Sequence, residues 1–204
     1  SYNYIGVDAF DKKGYALVTI SDEKVSPSGA LWDGKNGFIN ELGNWVIQPR
    51  YNFDSIDEYF EKQYHDLGTA FDDQDYCGAG YNNKMGFINR QEEWIIQPMF
   101  DRVGDFDEKD FCPAKLNNKW GYINRKGQWI IQPMFDSVGD FDEKDYAYAE
   151  INSKYGFINR EGQWIIQPIF DLAIGYNRKE YTEAKLNNKW GLINRKGDWI
   201  INPI

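Results

Sequence analysis

The side chains that could carry out catalysis or bind a soft metal are few in this chain of 204 residues. It contains a single histidine, His65, and two cysteines, Cys77 and Cys112. Nucleophilic catalysis usually pairs a serine or cysteine with an imidazole that a third group orients, and the order of residues indicates no such set. We therefore expect a protein that is not an enzyme and that binds no cofactor.

Carboxylates form the second chemical feature. Two groups of three recur with a spacing of 35 residues, and together we call them the acidic rim: Asp105, Asp107, Glu108, Asp140, Asp142 and Glu143. Alternating carboxylates are typical of calcium loops, but Lys109 and Lys144 stand where a further ligand would be needed, so no metal site is predicted. A glycosidase also needs two carboxylates, yet such a pair is normally unique in its chain. The pattern favours a solvated acidic surface that docks a basic protein.

The overall charge agrees with that interpretation. The chain has 32 acidic and 23 basic side chains, which gives a formal charge of −9 and disfavours binding to nucleic acid. Apolar residues make up 42% of the chain, enough for a core, but no apolar run is long enough for a membrane helix. No signal peptide is visible, so we expect a cytoplasmic protein, or a surface or secreted one if a leader has been removed.

An internal repeat positions all of these residues. Its reference position, which we call the ruler glycine, is a glycine that precedes an aromatic residue or leucine. Successive copies of it are 49, 35, 35 and 35 residues apart. The five copies of this glycine are Gly37, Gly86, Gly121, Gly156 and Gly191. A tryptophan and a proline follow each glycine at constant spacing, so the chain contains five copies of a 35-residue unit with 14 extra residues after the first.

Each unit is predicted to form three antiparallel strands. In the third unit these are Asp110–Leu116, Trp120–Asn124 and Gln128–Gln132, and the last ends at Pro133. Asn117-Asn118 suits a tight turn, because asparagine tolerates positive φ, and the second loop has a glycine at its left-handed position. Only the second unit lacks that glycine and has Glu92 there, which predicts a strained loop.

One such unit cannot bury a two-sided core, so neighbouring units must stack. The sequence predicts a single all-β domain over residues 1–204, in which five tandem three-stranded units form an open superhelix, or alternatively a small closed ring like a propeller. Residues 1–33 read as a degenerate unit or cap. The hairpins are expected near residues 34–49, 76–98, 111–133, 146–168 and 181–203.

A short helix is predicted in the insertion, over residues 54–68. Ser55 and Glu58 form a capping box, and apolar residues then recur with helical spacing. This helix either fills a gap between the first two units or marks the partner site. On the second interpretation Glu58, Tyr59 and Tyr64 contact the partner.

Other recurring residues are predicted to serve structure. Alanines at one strand position pack where only a small side chain fits, the third-strand tryptophans belong to the core, and an asparagine after each second strand bonds to its turn. Cys77 and Cys112 share a position with Ala147 and Thr182, which favours a small, half-buried side chain over a disulfide. The alanines are Ala30, Ala79, Ala114, Ala149 and Ala184, and the asparagines are Asn40, Asn89, Asn124, Asn159 and Asn194.

The repeated motif resembles that of a known family. Lys119-Trp120-Gly121 and Lys189-Trp190-Gly191, each followed by an Ile-Asn pair, a turn glycine and a strand ending in proline, are similar to the bacterial WG (KWG) repeat. In the other three units Asn36, Met85 and Tyr155 replace the tryptophan. The resemblance implies a β repeat domain and no particular activity, and some family members look like binding modules, including immunity proteins beside toxin genes.

These observations lead to a hypothesis about function. We expect a non-enzymatic module that binds a basic protein, in its most concrete form an inhibitor or immunity protein that neutralises a toxin or enzyme, through the acidic rim and the inserted helix. No nucleic acid or membrane partner is expected. Two alternatives are a carbohydrate-binding module of a cell surface, with tryptophans stacking on sugars, and a structural adhesin or spacer.

Overall fold

The computed structural model describes residues 4–21, 35–51, 71–81, 84–176 and 180–204. Within these ranges the chain forms strands, turns and loops, with no helix, and hence no helix of the length and apolar character that a membrane span requires. The helix predicted over residues 54–68, with Glu58, Tyr59 and Tyr64, lies outside the described residues, and so does Ala30.

In the described residues, nineteen strands form five antiparallel sheets in tandem, and in each sheet the strands lie side by side in chain order. The all-β tandem architecture predicted from the repeat is therefore confirmed. The first two sheets contain β1 (Tyr4–Val7), β2 (Tyr15–Ser21), β3 (Lys35–Asn40) and β4 (Trp45–Tyr51), then β5 (Cys77–Tyr81), β6 (Lys84–Ile88) and β7 (Trp94–Phe100).

The third sheet contains β8 (Arg102–Val103), β9 (Cys112–Leu116), β10 (Lys119–Ile123) and β11 (Trp129–Phe135). The fourth contains β12 (Ser137–Val138), β13 (Ala147–Ile151), β14 (Lys154–Ile158) and β15 (Trp164–Phe170). The fifth contains β16 (Leu172–Ala173), β17 (Tyr181–Leu186), β18 (Lys189–Asn194) and β19 (Trp199–Ile201).

The contacts divide the chain into two compact parts, each of which contains more than one repeat. We call residues 1–100, with the first two sheets, unit 1, and residues 101–204, with the other three, unit 2. In unit 2 each sheet has a fourth strand of only two residues. It lies in the connector, the segment that joins one repeat to the next. In the fourth sheet this strand pairs Ser137 with Glu150 and Val138 with Ala149. Two residues are too few to show a β-type alternation, which explains why the sequence pattern predicts only three strands.

The third strand of each repeat is an edge strand, and in the first four repeats it continues through its proline instead of ending there. In β11 the pairing shifts from Ile131 opposite Tyr122 to Phe135 opposite Trp120, so the edge strand bulges around Pro133. The bulge brings the carbonyl oxygen of Ile131 to within 2.4 Å of where a Cβ on Gly121 would lie. The equivalent distance is 2.3–2.5 Å in the other four repeats. The ruler glycine is therefore required by close backbone contact.

The predicted turns are confirmed in detail. Asn117 and Asn118 have φ values of 51° and 64°, and Gly127 has 73°. Glu92, which replaces the glycine in the second repeat, has φ of 66°, an unfavourable conformation for a residue with a side chain. The Asn124 side-chain oxygen accepts hydrogen bonds from two backbone N–H groups of its turn, and the other four asparagines of the repeat do the same.

Small and aromatic side chains fill the core between sheets of unit 2. Ala114, Ala149 and Ala184 are fully buried, as predicted. The rings of Phe135 and Trp164 pack in a T-shaped arrangement with their centroids 5.6 Å apart, and in the next repeat those of Phe170 and Trp199 do so at 5.7 Å. These contacts between consecutive repeats confirm that the repeats stack and that these two tryptophans are half-buried packing groups.

Cys77 and Cys112 are buried free thiols. The Cys112 thiol donates a hydrogen bond to the carbonyl oxygen of Gly104, and at the equivalent position the hydroxyl of Thr182 donates to the carbonyl oxygen of Ile174. Burial raises the pKa of Cys112 well above its ordinary value. The thiol is therefore a packing group, and it is fully buried where the substitution pattern predicted a half-buried side chain.

Candidate functional site

The acidic rim divides into internal and exposed carboxylates. Asp107 accepts hydrogen bonds from the backbone N–H groups of Lys109 and Phe111, both at 2.9 Å, and its second oxygen lies 2.7 Å from Nη1 of Arg160. Asp142 repeats this arrangement, with its second oxygen 2.7 Å from Nη1 of Arg195. These two carboxylates shape the connector turns and join neighbouring repeats.

Arg160 is the centre of this junction. Its guanidinium lies between the rings of Phe111 and Phe141, 4.6 Å from each centroid. Its Nε is 2.5 Å from Asp145 of its own repeat, while Nη1 reaches Asp107 of the preceding one. A planar guanidinium suits this position because it can stack on rings and bond in its plane at the same time. We call such an arginine, with its two acids and two rings, an arginine staple.

The arginine staple recurs with the repeat. Arg195 pairs with Asp142 and, at 3.7 Å, with Glu180, between Tyr146 and Tyr176. In unit 1, Arg90 pairs with Asp11 and Asp75 and contacts the rings of Tyr15 and Phe71. Each of these arginines lies in the turn between the second and third strands of its repeat, and its side chain reaches the carboxylates of two connectors.

The arginine staples change the pKa of their acids. Burial alone would raise the pKa of Asp145, but hydrogen bonds from Lys109 and Arg160 hold it below its usual value. The pKa of Asp75 is lowered by hydrogen bonds from Arg90 and Lys13.

A second kind of junction lies at the asparagine turns, where Asp136 binds Lys119 and accepts a hydrogen bond from the backbone N–H of Asn152. Asp171, Lys154 and Asn188 form the same contacts one repeat later.

Four carboxylates of the acidic rim face solvent: Asp105, Glu108, Asp140 and Glu143. The carboxylate of Asp140 is nevertheless partly removed from water, and this effect, followed by the negative charges of Asp105 and Asp107 in the preceding connector, raises its pKa. The described part of the chain has no group of three or more His, Cys, Asp or Glu side chains that could hold a metal ion.

A second exposed feature was missed by the sequence analysis. On β11 and on β15, the side chains that alternate with the buried residues are exposed and uncharged, and we call these two rows the outer edge face: Ile130, Gln132, Met134, Ile165, Gln167 and Ile169. In β7, Ile95, Gln97 and Met99 follow the same pattern. The run Trp129-Ile130-Ile131 reads as a buried strand, and the alternation of exposed residues around buried Ile131 and Phe135 was the available signal.

Comparison with known proteins supports the architecture. The family model described as "WG containing repeat" matches residues 37–61, 85–120, 120–155, 155–190 and 190–204. No curated protein matches the sequence. A solved structure titled "Crystal structure of the eukaryotic initiation factor" is similar over 100% of this chain, with a TM-score of 0.55 and 7% identity. The present chain spans 55% of that chain, and at this identity the similarity concerns the fold alone.

Proposed function

We propose that this chain, which belongs to the family of proteins with the WG containing repeat, is a non-catalytic module that binds a basic protein. The surface that we propose for binding consists of the exposed carboxylates of two consecutive connectors: Asp105, Glu108, Asp140 and Glu143. The observation that carries the proposal is the exposure of these four carboxylates on consecutive connectors. Removal from water, and then the negative charges of Asp105 and Asp107, raise the pKa of Asp140. A cationic partner would relieve this repulsion.

The support of the connectors favours the same proposal. Asp107 and Asp142 hold the turns from which the four exposed carboxylates extend, and arginine staples fix those turns to the neighbouring repeats. A surface whose charges are held in place loses little conformational entropy on binding. The formal charge of −9 would also accelerate encounter with a basic protein.

In its most concrete form, the proposed module inhibits a basic toxin or enzyme, as an immunity protein does. Glu58, Tyr59 and Tyr64 of the insertion remain predicted contacts with that partner, in addition to those of the acidic rim. A partner that acts on nucleic acid fits this chemistry, because such proteins carry the basic surface that an acidic inhibitor covers.

A charge-matched pair of variants tests the binding surface. The site variant carries Asp105→Asn, Glu108→Gln, Asp140→Asn and Glu143→Gln, and the control carries Glu93→Gln, Glu161→Gln, Glu183→Gln and Asp198→Asn, which removes four exposed charges elsewhere. The partner captured from the source cells by the intact chain is identified by mass spectrometry. Its affinity for each variant is then measured by calorimetry over a range of salt concentrations.

The proposal predicts binding at least about tenfold weaker for the site variant at low salt, a smaller salt dependence, and near-normal binding for the control. Equal losses in both variants would mean that only the net charge matters. Unchanged affinity in the site variant would contradict the proposed surface. A third variant without residues 54–67 separates the contribution of the insertion from that of the connectors.

A further inference from the structure

Consecutive repeats of this chain stack through two matching surfaces. The third repeat contributes Tyr122 of its second strand and Ile131 of its third strand, and we call this pair of positions the tail face. The fourth repeat contributes Phe141 of its connector and Gly162 of the turn before its third strand, which we call the head face. The rings of Tyr122 and Phe141 have centroids 4.7 Å apart, and a Cβ on Gly162 would lie 3.0 Å from Cγ2 of Ile131.

The same pair of faces recurs at other interfaces between repeats. In unit 1, Phe38 of the first repeat meets Phe71 of the next connector, with 4.7 Å between the ring centroids. In unit 2, Phe157 of the fourth repeat meets Tyr176 of the next connector at 4.8 Å. All four side chains are buried. A tail face is therefore a specific site for the head face of a repeat.

The tail face of the fifth repeat is open. Ile201 is 48% exposed, whereas Ile131 and Ile166 at the same position are each 5% exposed. The register is unchanged, because Ile201 pairs with Leu192 as Ile131 pairs with Tyr122. Leu192 is half-buried, while Tyr122 is fully buried. The fifth repeat thus presents the apolar surface that the third and fourth repeats cover with a neighbour.

The head face of the first repeat is open as well. Phe10 is 45% exposed, whereas Phe141 at the same position is 9% exposed. Phe10 follows Val7 of β1 by three residues, as Phe141 follows Val138 of β12. At Gly43, the counterpart of Gly162, a Cβ would have no atom within 4 Å. Terminal repeats of an array usually carry a polar outer surface, and neither of these two faces does.

We propose that the tail face of the fifth repeat binds the head face of the first repeat in a second copy of this chain. The interfaces inside the chain specify the occupant, because a tail face accepts a connector aromatic residue and a turn glycine. Phe10 and Gly43 provide both in an exposed form. Such a contact joins two different surfaces, so copies associate head to tail and can add further copies. This inference concerns other surfaces than the proposed function and does not depend on it.

The contact between copies should be weaker than the interfaces inside the chain. Glu41 stands where Arg160 and Arg195 stand in later repeats, so a second copy brings no arginine staple to the tail face. Each copy also carries a formal charge of −9, and the copies repel each other. Because salt screens this repulsion and leaves apolar contact in place, we expect association to increase with salt concentration.

Two variants that each remove one face test the proposal. The tail variant carries Ile201→Glu, the head variant carries Phe10→Glu, and the control carries Ile169→Glu, an isoleucine of similar exposure outside both faces. Sedimentation velocity is measured between about 5 and about 200 μM, at low and at high salt. We expect self-association at least about tenfold weaker in the tail and head variants, and unchanged in the control. Circular dichroism verifies the fold, and Ile201→Ala or Phe10→Ala replaces a variant that does not fold.

Mixing the two variants gives the decisive result. The head variant retains an intact tail face and the tail variant retains an intact head face, so the mixture should form a 1:1 heterodimer that cannot extend. A contact between two copies of the same face would give no such recovery. An intact chain that stays monomeric at the highest protein and salt concentrations would overturn the proposal. So would a mixture without heterodimer, or a single variant that associates as strongly as the intact chain.

Discussion

In unit 2 the connectors concentrate charge, whereas the outer edge face excludes it, although both recur from repeat to repeat. The charges of the connectors are largely used between repeats, where Arg160 joins Asp107 and Asp145 across two aromatic rings. The outer edge face makes no such junction, and its outward side chains face solvent. The repeated acidic motif therefore joins repeats through Asp107 and Asp142, whereas its other four carboxylates and the outer edge face remain exposed.

The largest loss of stability is expected from a substitution of the ruler glycine, because the backbone of the edge strand passes close to it. Gly121→Ala would place a Cβ 2.4 Å from the carbonyl oxygen of Ile131, so β11 must move or lose its bulge, and with it the outer edge face. We expect a loss of about 3 kcal/mol or more in the free energy of unfolding, measured by urea denaturation. Gly43→Ala is the comparison, because no atom lies within 4 Å of its Cβ and only its φ of 75° is unfavourable, at about 1 kcal/mol. Similar losses for the two variants would disprove the steric explanation.

Arg160→Met tests whether the connector charges stabilise the fold. The substitution keeps an unbranched apolar side chain between the two rings but leaves Asp107 and Asp145 without their arginine. We expect a loss of about 2 kcal/mol, less than for a fully buried pair because Asp145 is partly exposed. Lys126→Met, on an exposed side chain of a hairpin turn, should change stability by less than about 0.5 kcal/mol. Equal effects of the two substitutions would show that the arginine staple contributes nothing.

Two aspartates of one connector should respond to pH with opposite sign. The pKa of Asp145 is lowered in the folded state, so its contribution to stability is present above the unfolded pKa of about 4 and is lost as the pH falls further. The pKa of Asp140 is raised, so its charged form opposes folding at neutral pH, and protonation removes this effect as the pH falls toward about 4. Asp145→Asn should therefore lower the Tm at about pH 7, and Asp140→Asn should raise it.

Both differences in Tm should shrink as the pH falls through these ranges, and scanning calorimetry across the acidic range measures them. A variant Asp140→Asn with a lower Tm at neutral pH would contradict the idea that this carboxylate is held among like charges. That result would also weaken the proposed binding surface, which includes this carboxylate.

The smallest effect is expected at Cys112. Cys112→Ala removes the hydrogen bond to Gly104 and leaves a small void, at a cost of about 1 kcal/mol. Cys112→Thr should cost less, because Thr182 makes the equivalent bond to Ile174 at 2.7 Å. Urea denaturation of both variants gives the order. A greater loss with threonine would indicate that the two positions differ in shape despite their common register.

Much of the fold could be predicted from the sequence because its signals are local. The paired asparagines at 117–118 and the glycine at 127 specify left-handed turns, and the strained position of Glu92 follows from the absence of that glycine. The sequence also indicates the acidic rim, but it does not show which of the carboxylates join repeats and which are exposed. Nothing local distinguishes Asp107, which bonds to Arg160 53 residues later, from Asp105, which faces solvent.

The sequence by itself determined the number of repeats, their turns and the three main strands of each, because turn chemistry and apolar alternation act between residues close in the chain. Only the tertiary structure decided which side of each edge strand is buried, why Gly121 must be a glycine, and which carboxylates join repeats. Those properties depend on the close approach of a carbonyl oxygen in the bulge to a glycine on the neighbouring strand, and on a guanidinium that contacts acids of two repeats. The physical reason is that such contacts depend on how strands and repeats lie against one another in space.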